Sequence, residues 1–102
     1  MNNNKILPGD AARLIGCTEA SRKRRYKILF KAQKSVKVCE ADYPYIDEDL
    51  LYTDLRHFVK KGILDSNSNK AFLRKDKRYW LTDYGRKVIR QARKAMFPTA
   101  TG

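Results

Sequence analysis

The stretch KGILDSNSNKAFLRKDKRYWLTDYGRK, residues 61–87, constrains the fold more than any other part of the chain. Gly62 is placed to close a helix. Ile63-Leu64-Asp65 then starts extended structure. Ser66-Asn67-Ser68-Asn69 is a turn signal. Ala71-Phe72-Leu73 and Arg78-Tyr79-Trp80-Leu81 read as strands, with Lys75-Asp76-Lys77 able to turn between them. Either polar stretch can be the hairpin tip. Thr82 is a cap for a last helix, Asp83 to about Phe97, with Val88, Ile89, Ala92 and Met96 as its apolar stripe. A basic hairpin held between two helices predicts an α+β fold that is mainly helical.

The helix before Gly62 is equally well marked. Asp47 is a helix cap, and the pattern runs to about Lys61. At 100° per residue, Leu51, Leu55, Phe58 and Val59 share one face. Asp49, Tyr52, Thr53, Arg56, His57 and Lys60 share the other, which combines an aromatic ring, a hydroxyl and cations. Upstream, Asp10 can cap AARLI, which stops at Gly16, and Thr18 can cap a helix from about Glu19 to Ser35. The stripe of that helix is Tyr26, Leu29, Ala32 and Val36, and its opposite side carries Lys23, Lys27, Lys31 and Lys34. Val36 to Ile46 is ambiguous: Val36 to Cys39 alternates like a short strand, and a short helix from about Val38 to Asp42 fits as well. Residues 1–9 and 98–102 are expected to be flexible tails around one domain, residues 10–97.

Charge narrows the function. The chain has 102 residues with 23 Lys and Arg against 11 Asp and Glu, a formal net charge of +12. Such a basic domain suits a nucleic acid. The charge is also segregated: ten basic and seven acidic side chains precede Tyr52, thirteen and four follow from it. Between Val38 and Leu55 stand six acids (Glu40, Asp42, Asp47, Glu48, Asp49, Asp54) and no Lys or Arg. There is one His and no His/Cys/Asp set with nucleophile or metal spacing, so no enzyme and no cofactor are expected. Cys17 and Cys39 lie in separate segments and read as reduced, buried thiols. No apolar run reaches the length of a membrane span, and the N-terminus lacks a signal-peptide core, so a cytoplasmic protein is expected.

Two segments carry a family resemblance. LLYTDLRHFVKKGILD, followed by KDKRYWLTDYGRKVI, resembles winged helix-turn-helix DNA-binding regulators, PadR-like and MarR-like proteins most of all. The pattern falls on Leu51, Tyr52, Leu55, Phe58 or Val59, Gly62, Ile63 and Leu64, then on Arg78, Tyr79, Leu81, Thr82, Gly85 and Arg86. It covers Leu50 to Ile89. The resemblance implies a sequence-specific regulator of transcription that binds double-stranded DNA. Residues 47–61 would be the recognition helix in the major groove, and residues 65–79 a wing on the backbone or minor groove. It also implies a homodimer, since the C-terminal helix of such relatives often dimerises. AARLIGCTEASRKRRY is similar to the opening of MerR-like and excisionase proteins through Ala11, Ala12, Leu14, Gly16, Ser21, Arg24 and Tyr26. Arg22 departs from that pattern, which wants an apolar residue there.

The physical chemistry of the candidate DNA contacts agrees in part. Arg56 can pair with guanine, and Tyr52, Thr53 and His57 can touch bases or phosphates. Lys60 and Lys61 suit phosphate, as do the wing residues Lys70, Arg74, Lys75, Lys77 and Arg78. Arg22, Arg24 and Arg25 are further phosphate candidates. Each lysine taken alone is more simply a solvated charge. The acids at the start of the reading helix oppose phosphate; they read as capping and dipole groups, or as a patch that docks on a basic surface of a second copy. Two other classes stay open: a protein-interaction module using the acidic 40–54 block or the basic second half, and an RNA binder using the basic charge with Tyr79 and Trp80.

Overall fold

The structure is a computed structural model and describes residues 6–97. Among these, four α-helices and a two-stranded antiparallel sheet make a small, mainly helical α+β fold. The order is α1 (Pro8–Ile15), α2 (Glu19–Gln33), a 3-10 turn (Glu40–Asp42), α3 (Glu48–Lys60), β1 (Leu64–Ser66), a second 3-10 turn (Arg74–Asp76), β2 (Tyr79–Leu81) and α4 (Asp83–Met96). The expected tails 1–5 and 98–102 lie outside the described residues, while Pro8 and Gly9, expected in the tail, form the first turn of α1.

Local chemistry explains the helix ends. Pro8 starts α1, where its missing N–H costs nothing. Asp10 therefore sits inside the first turn, paired with Arg13, and does not cap the helix. Thr18 and Ser21 form a reciprocal capping box at α2: each hydroxyl oxygen accepts from the other's backbone N–H, at 3.1 and 3.2 Å. Asp47 Oδ1 accepts from the N–H groups of Asp49 and Leu50 and caps α3. Gly62, at φ +77°, closes it. Thr82 does two things. Its Oγ1 accepts from Gly85 N at 2.8 Å, and its hydroxyl hydrogen points at the carbonyls of Gly62 and Ile63, 2.7 and 3.0 Å away. The cap of α4 is thus hooked onto the turn that ends α3.

Three expectations need correction. Helix α2 stops at Gln33, and Val36 is 87% exposed rather than on its stripe; Tyr26, Leu29 and Ala32 are buried as expected, and Ile28 joins them. Ala71–Leu73 is not a strand. Leu64, Asp65 and Ser66 pair with Leu81, Trp80 and Tyr79, so residues 67–78 form one long connection. Burial decides this, because Ile63 and Leu64 enter the core while Phe72 is 96% exposed. Finally, Cys39 is half-buried and Cys17 exposed, both as free thiols.

Both readings of residues 36–46 hold in part. Val38 exchanges two 2.8 Å backbone hydrogen bonds with Tyr79, on the side of β2 away from β1, and the 3-10 turn follows. Buried Tyr43 fixes the next loop by donating its hydroxyl to Ile28 O at 2.9 Å. A single core gathers Ala11 and Ile15, the α2 stripe, Val38, Tyr43, Leu51, Leu55, Phe58, Ile63, Leu64, Tyr79, Leu81 and the Val88, Ile89, Ala92 stripe of α4. That stripe is buried within the chain, mostly against α1. Gly85 lets α4 start close to β1: a Cβ there would stand 2.1 Å from the Ile63 carbonyl oxygen.

Candidate nucleic-acid interface

The outer face of α3 and the β1–β2 connection form a groove of about 870 Å³. Tyr52, Thr53, Arg56, His57, Val59 and Lys60 line it from α3, Ser68 and Lys77 from the connection, and Arg25 and Tyr79 from beneath. Arg56 and Lys60 are exposed. Tyr52 is half-buried, and its ring is flanked by cations: Arg74 at 4.2 Å, Arg56 at 5.7 Å and Lys77 at 5.7 Å. The ring's negative face holds three positive groups at the junction of helix and connection. Burial raises the pKa of the Tyr79 hydroxyl to about 12.

Asn67 organises the connection. Its Oδ1 accepts from Arg78 N at 2.7 Å, and its carbonyl accepts from the N–H groups of Lys70 and Ala71. Lys70 and Lys75 are exposed on this segment, with Phe72 and Leu73 exposed between them. Lys61 is exposed just beyond α3.

The remaining candidates are drawn into the fold. The carboxylate of Asp54, fully buried, accepts from Arg24 Nε at 2.7 Å, Arg24 Nη2 at 3.0 Å and Arg25 Nε at 2.7 Å. The bond to Asp54 raises the Arg24 pKa further. Arg25 also donates to Ile15 O at 3.0 Å, and Arg22 donates to Gly16 O at 3.2 Å. Arg22, at the position where an apolar residue was expected, thus ties α2 to the end of α1. Arg78 donates to the carbonyls of Lys75 and Lys77. Arg74 bonds Glu40 with two nitrogens, at 3.2 and 2.9 Å, reaches Glu48 O at 2.9 Å and lies 3.5 Å from Asp49. The Glu40 bond is the main reason its pKa is raised.

His57 needs the same correction. Its Nε2–H donates to Leu14 O at 2.8 Å, so this atom faces α1 rather than a ligand. Burial lowers its pKa, against the pull of that bond.

These contacts also account for the acidic block. Asp54 serves Arg24 and Arg25, Glu40 and Asp49 serve Arg74, Asp42 accepts from Cys39 N, and Asp47 caps α3. Of the six carboxylates, that of Glu48 has no partner among the described residues. Ser68 joins the groove although no local pattern singles it out, because its placement depends on how the long connection folds back; Val59, assigned to the apolar face of α3, is half-buried at the groove's edge.

Among the described residues, no group of three or more His, Cys, Asp or Glu side chains is placed to hold a metal ion. No helix among them is long and apolar enough to cross a membrane. A scan against protein-family models and searches of curated proteins and of solved structures found no significant match to the chain.

Proposed function

We propose that this chain is a winged-helix protein that binds double-stranded DNA and regulates transcription, with α3 in the major groove and residues 65–79 as the wing. The groove shared by α3 and the β1–β2 connection is the observation that carries this reading: Arg56, Lys60 and Lys77 converge on it without an acidic side chain in its lining. A helix with its side chains is about 10–12 Å across and matches a major groove about 12 Å wide. Arg56 is the base reader, since an exposed guanidinium can address guanine with two N–H groups. Lys60, Lys61, Lys75 and Lys77 take phosphates. Phe72 and Leu73, exposed beside Lys70 and Lys75, suit an apolar wedge against a minor groove. The internal pairing of Arg74 with Glu40 and Asp49 supports the reading, because it offsets part of the repulsion that this acidic block would exert on phosphate, while Asp47 and Glu48 keep their charges. It equally weakens the acidic block as a docking patch for another protein. Binding as a homodimer belongs to the same proposal. Because the α4 stripe is buried in its own chain, pairing would use another surface.

The test is a salt titration of binding to random-sequence duplex by fluorescence anisotropy. Micromolar binding that falls steeply with salt is expected. Lys75→Ala and Lys77→Ala should each flatten the log–log slope by about 0.9, the share of one neutralised phosphate. Absence of duplex binding at low salt overturns the proposal, and an unchanged slope in the double variant removes the wing from it.

A further inference from the structure

A second cationic surface lies between the C-terminal halves of α2 and α4. Buried Tyr26 forms its floor, stacked on Phe30 with centroids 6.1 Å apart and met edge-on by Phe97 at 5.3 Å. Arg90, Arg93, Lys94 and Phe97 complete a shallow depression of about 490 Å³. Lys34 stands over the Phe30 ring at 4.3 Å. Phe30 is 40% exposed and Phe97 53% exposed.

The four cations here differ from those of the buried junction. Among the described residues, none of Lys34, Arg90, Arg93 and Lys94 has an acidic partner within ion-pair distance. No acidic side chain lines the depression. No ion pair neutralises these charges, and together they repel.

The chemistry of the surface selects its occupant. A second copy set face to face would oppose four cations with four. An acidic protein or a duplex would satisfy the charges, but a duplex hides the faces of its bases and leaves exposed Phe97 without a stacking partner. An unpaired strand supplies both halves: phosphates for the cations and base faces for the Phe97 ring. We infer that the α2–α4 depression is a second binding site, for single-stranded nucleic acid, with Phe97 as its stacking surface and Lys34, Arg90, Arg93 and Lys94 on the phosphates.

This site is separate from the α3 groove, and the two share no lining residue. Helix α2 divides them: Arg24 and Arg25 reach Asp54 of α3, while the next residue, Tyr26, meets α4's end at Phe97. Occupancy of the depression does not require that α3 bind DNA.

The full chain should be titrated, by anisotropy, with a labelled twelve-nucleotide single strand, as DNA and as RNA, and with a duplex. Phe97→Ala should weaken the single strand by about fivefold or more, the effect of losing one stacked base. Phe97→Trp should restore it. Arg90→Gln with Arg93→Gln should flatten its salt slope by about 0.7 for each phosphate left without its cation. Duplex affinity should stay within twofold in the phenylalanine variants, and Arg56→Ala should leave the single strand unaffected. Thermal melts establish that each variant is folded. Because Phe97 also touches Tyr26, the exposed Arg90/Arg93 variant serves as a second probe should Phe97→Ala unfold. The inference is overturned if the wild type does not bind the single strand, if Phe97→Trp binds as weakly as Phe97→Ala, or if Arg56→Ala weakens the strand while the phenylalanine and arginine variants do not. Strand binding that tracks Phe97 without any duplex binding would overturn the α3 proposal and leave this one standing.

Discussion

The start of α2 and the end of α4 are both rich in arginine, yet they use it in opposite ways. Arg22, Arg24 and Arg25 all turn inward, onto Gly16 O, Asp54 and Ile15 O. Arg90 and Arg93 meet no acid among the described residues and line an open depression. A count of basic residues therefore does not outline a binding surface. What separates the two regions is one buried carboxylate. Asp54 converts two arginines into a cross-brace between α2 and α3, whereas α4 has only Asp83 as an acid, at its far end. The brace also serves recognition indirectly, because it fixes the α3 helix whose other side presents Arg56.

The largest effect should come from removing that carboxylate. Asp54→Ala strands two guanidiniums in a partly desolvated junction, and breaking a buried pair on one side costs about 3–5 kcal/mol. Chemical denaturation should show this as a lower midpoint. An unchanged midpoint would mean that the α2 arginines are as free as those of α4, and the contrast would collapse. Next in size is Arg56→Ala. It should weaken specific duplex binding by about 1–3 kcal/mol while leaving the melting temperature alone. Loss of stability with no change in binding would move Arg56 from the reading face into the brace.

Much of this architecture is legible in the sequence, for identifiable reasons. Helix α3 has a cap at Asp47, a stop at Gly62 and a clean periodicity, so its two faces follow from 100° steps. The hook at Thr82 is legible as a cap, though not as a tie to Gly62. Asp54 carries a readable signal that charge counting hides. It lies three residues after Leu51 and four before Phe58, on the buried stripe itself, and a carboxylate at core spacing calls for a buried cationic partner. Which cations answer is not legible, because Arg24 and Arg25 are about thirty positions away. The wing is the least legible part. Propensity favours a strand at Ala71–Leu73, but the core selects Leu64–Ser66, and the side-chain bonds of Asn67 then shape the loop. The depression under Phe97 joins two helices remote in sequence, and no local pattern foretells it.

His57 sits beside the Asp54 junction, facing α1, and gives a smaller, pH-dependent effect. Burial lowers its pKa from the ordinary 6.5, the Leu14 carbonyl pulls the other way, and Arg25 and Lys61 add to the lowering. The folded state thus holds a proton less readily than the unfolded chain. Stability is complete above about 6.5 and is lost as pH falls from there through the folded value. Melting temperatures from pH 7 to 5.5 should fall more steeply in the wild type than in His57→Gln. Parallel curves would show that His57 is as solvated as an outward-facing residue, and would return it to the reading face.

The smallest effect is the most telling one. Arg90→Gln with Arg93→Gln removes two of the three cations that line the depression with Phe97. Surface substitutions away from buried groups change stability by no more than about 0.5 kcal/mol. Here the change should stay within that range, because the repulsion relieved among Arg90, Arg93 and Lys94 offsets the favourable end-of-helix charge that Arg93 gives up. The matching change at the other region, Arg24→Gln with Arg25→Gln, should destabilise strongly, since it leaves the Asp54 carboxylate buried without a cation. Paired denaturation curves of these two double variants, equal in charge removed, measure the contrast directly. A clear loss of stability in the α4 variant would mean that its arginines hold the fold together too, and that the open surface beside Phe97 is structural rather than a site for a polyanion.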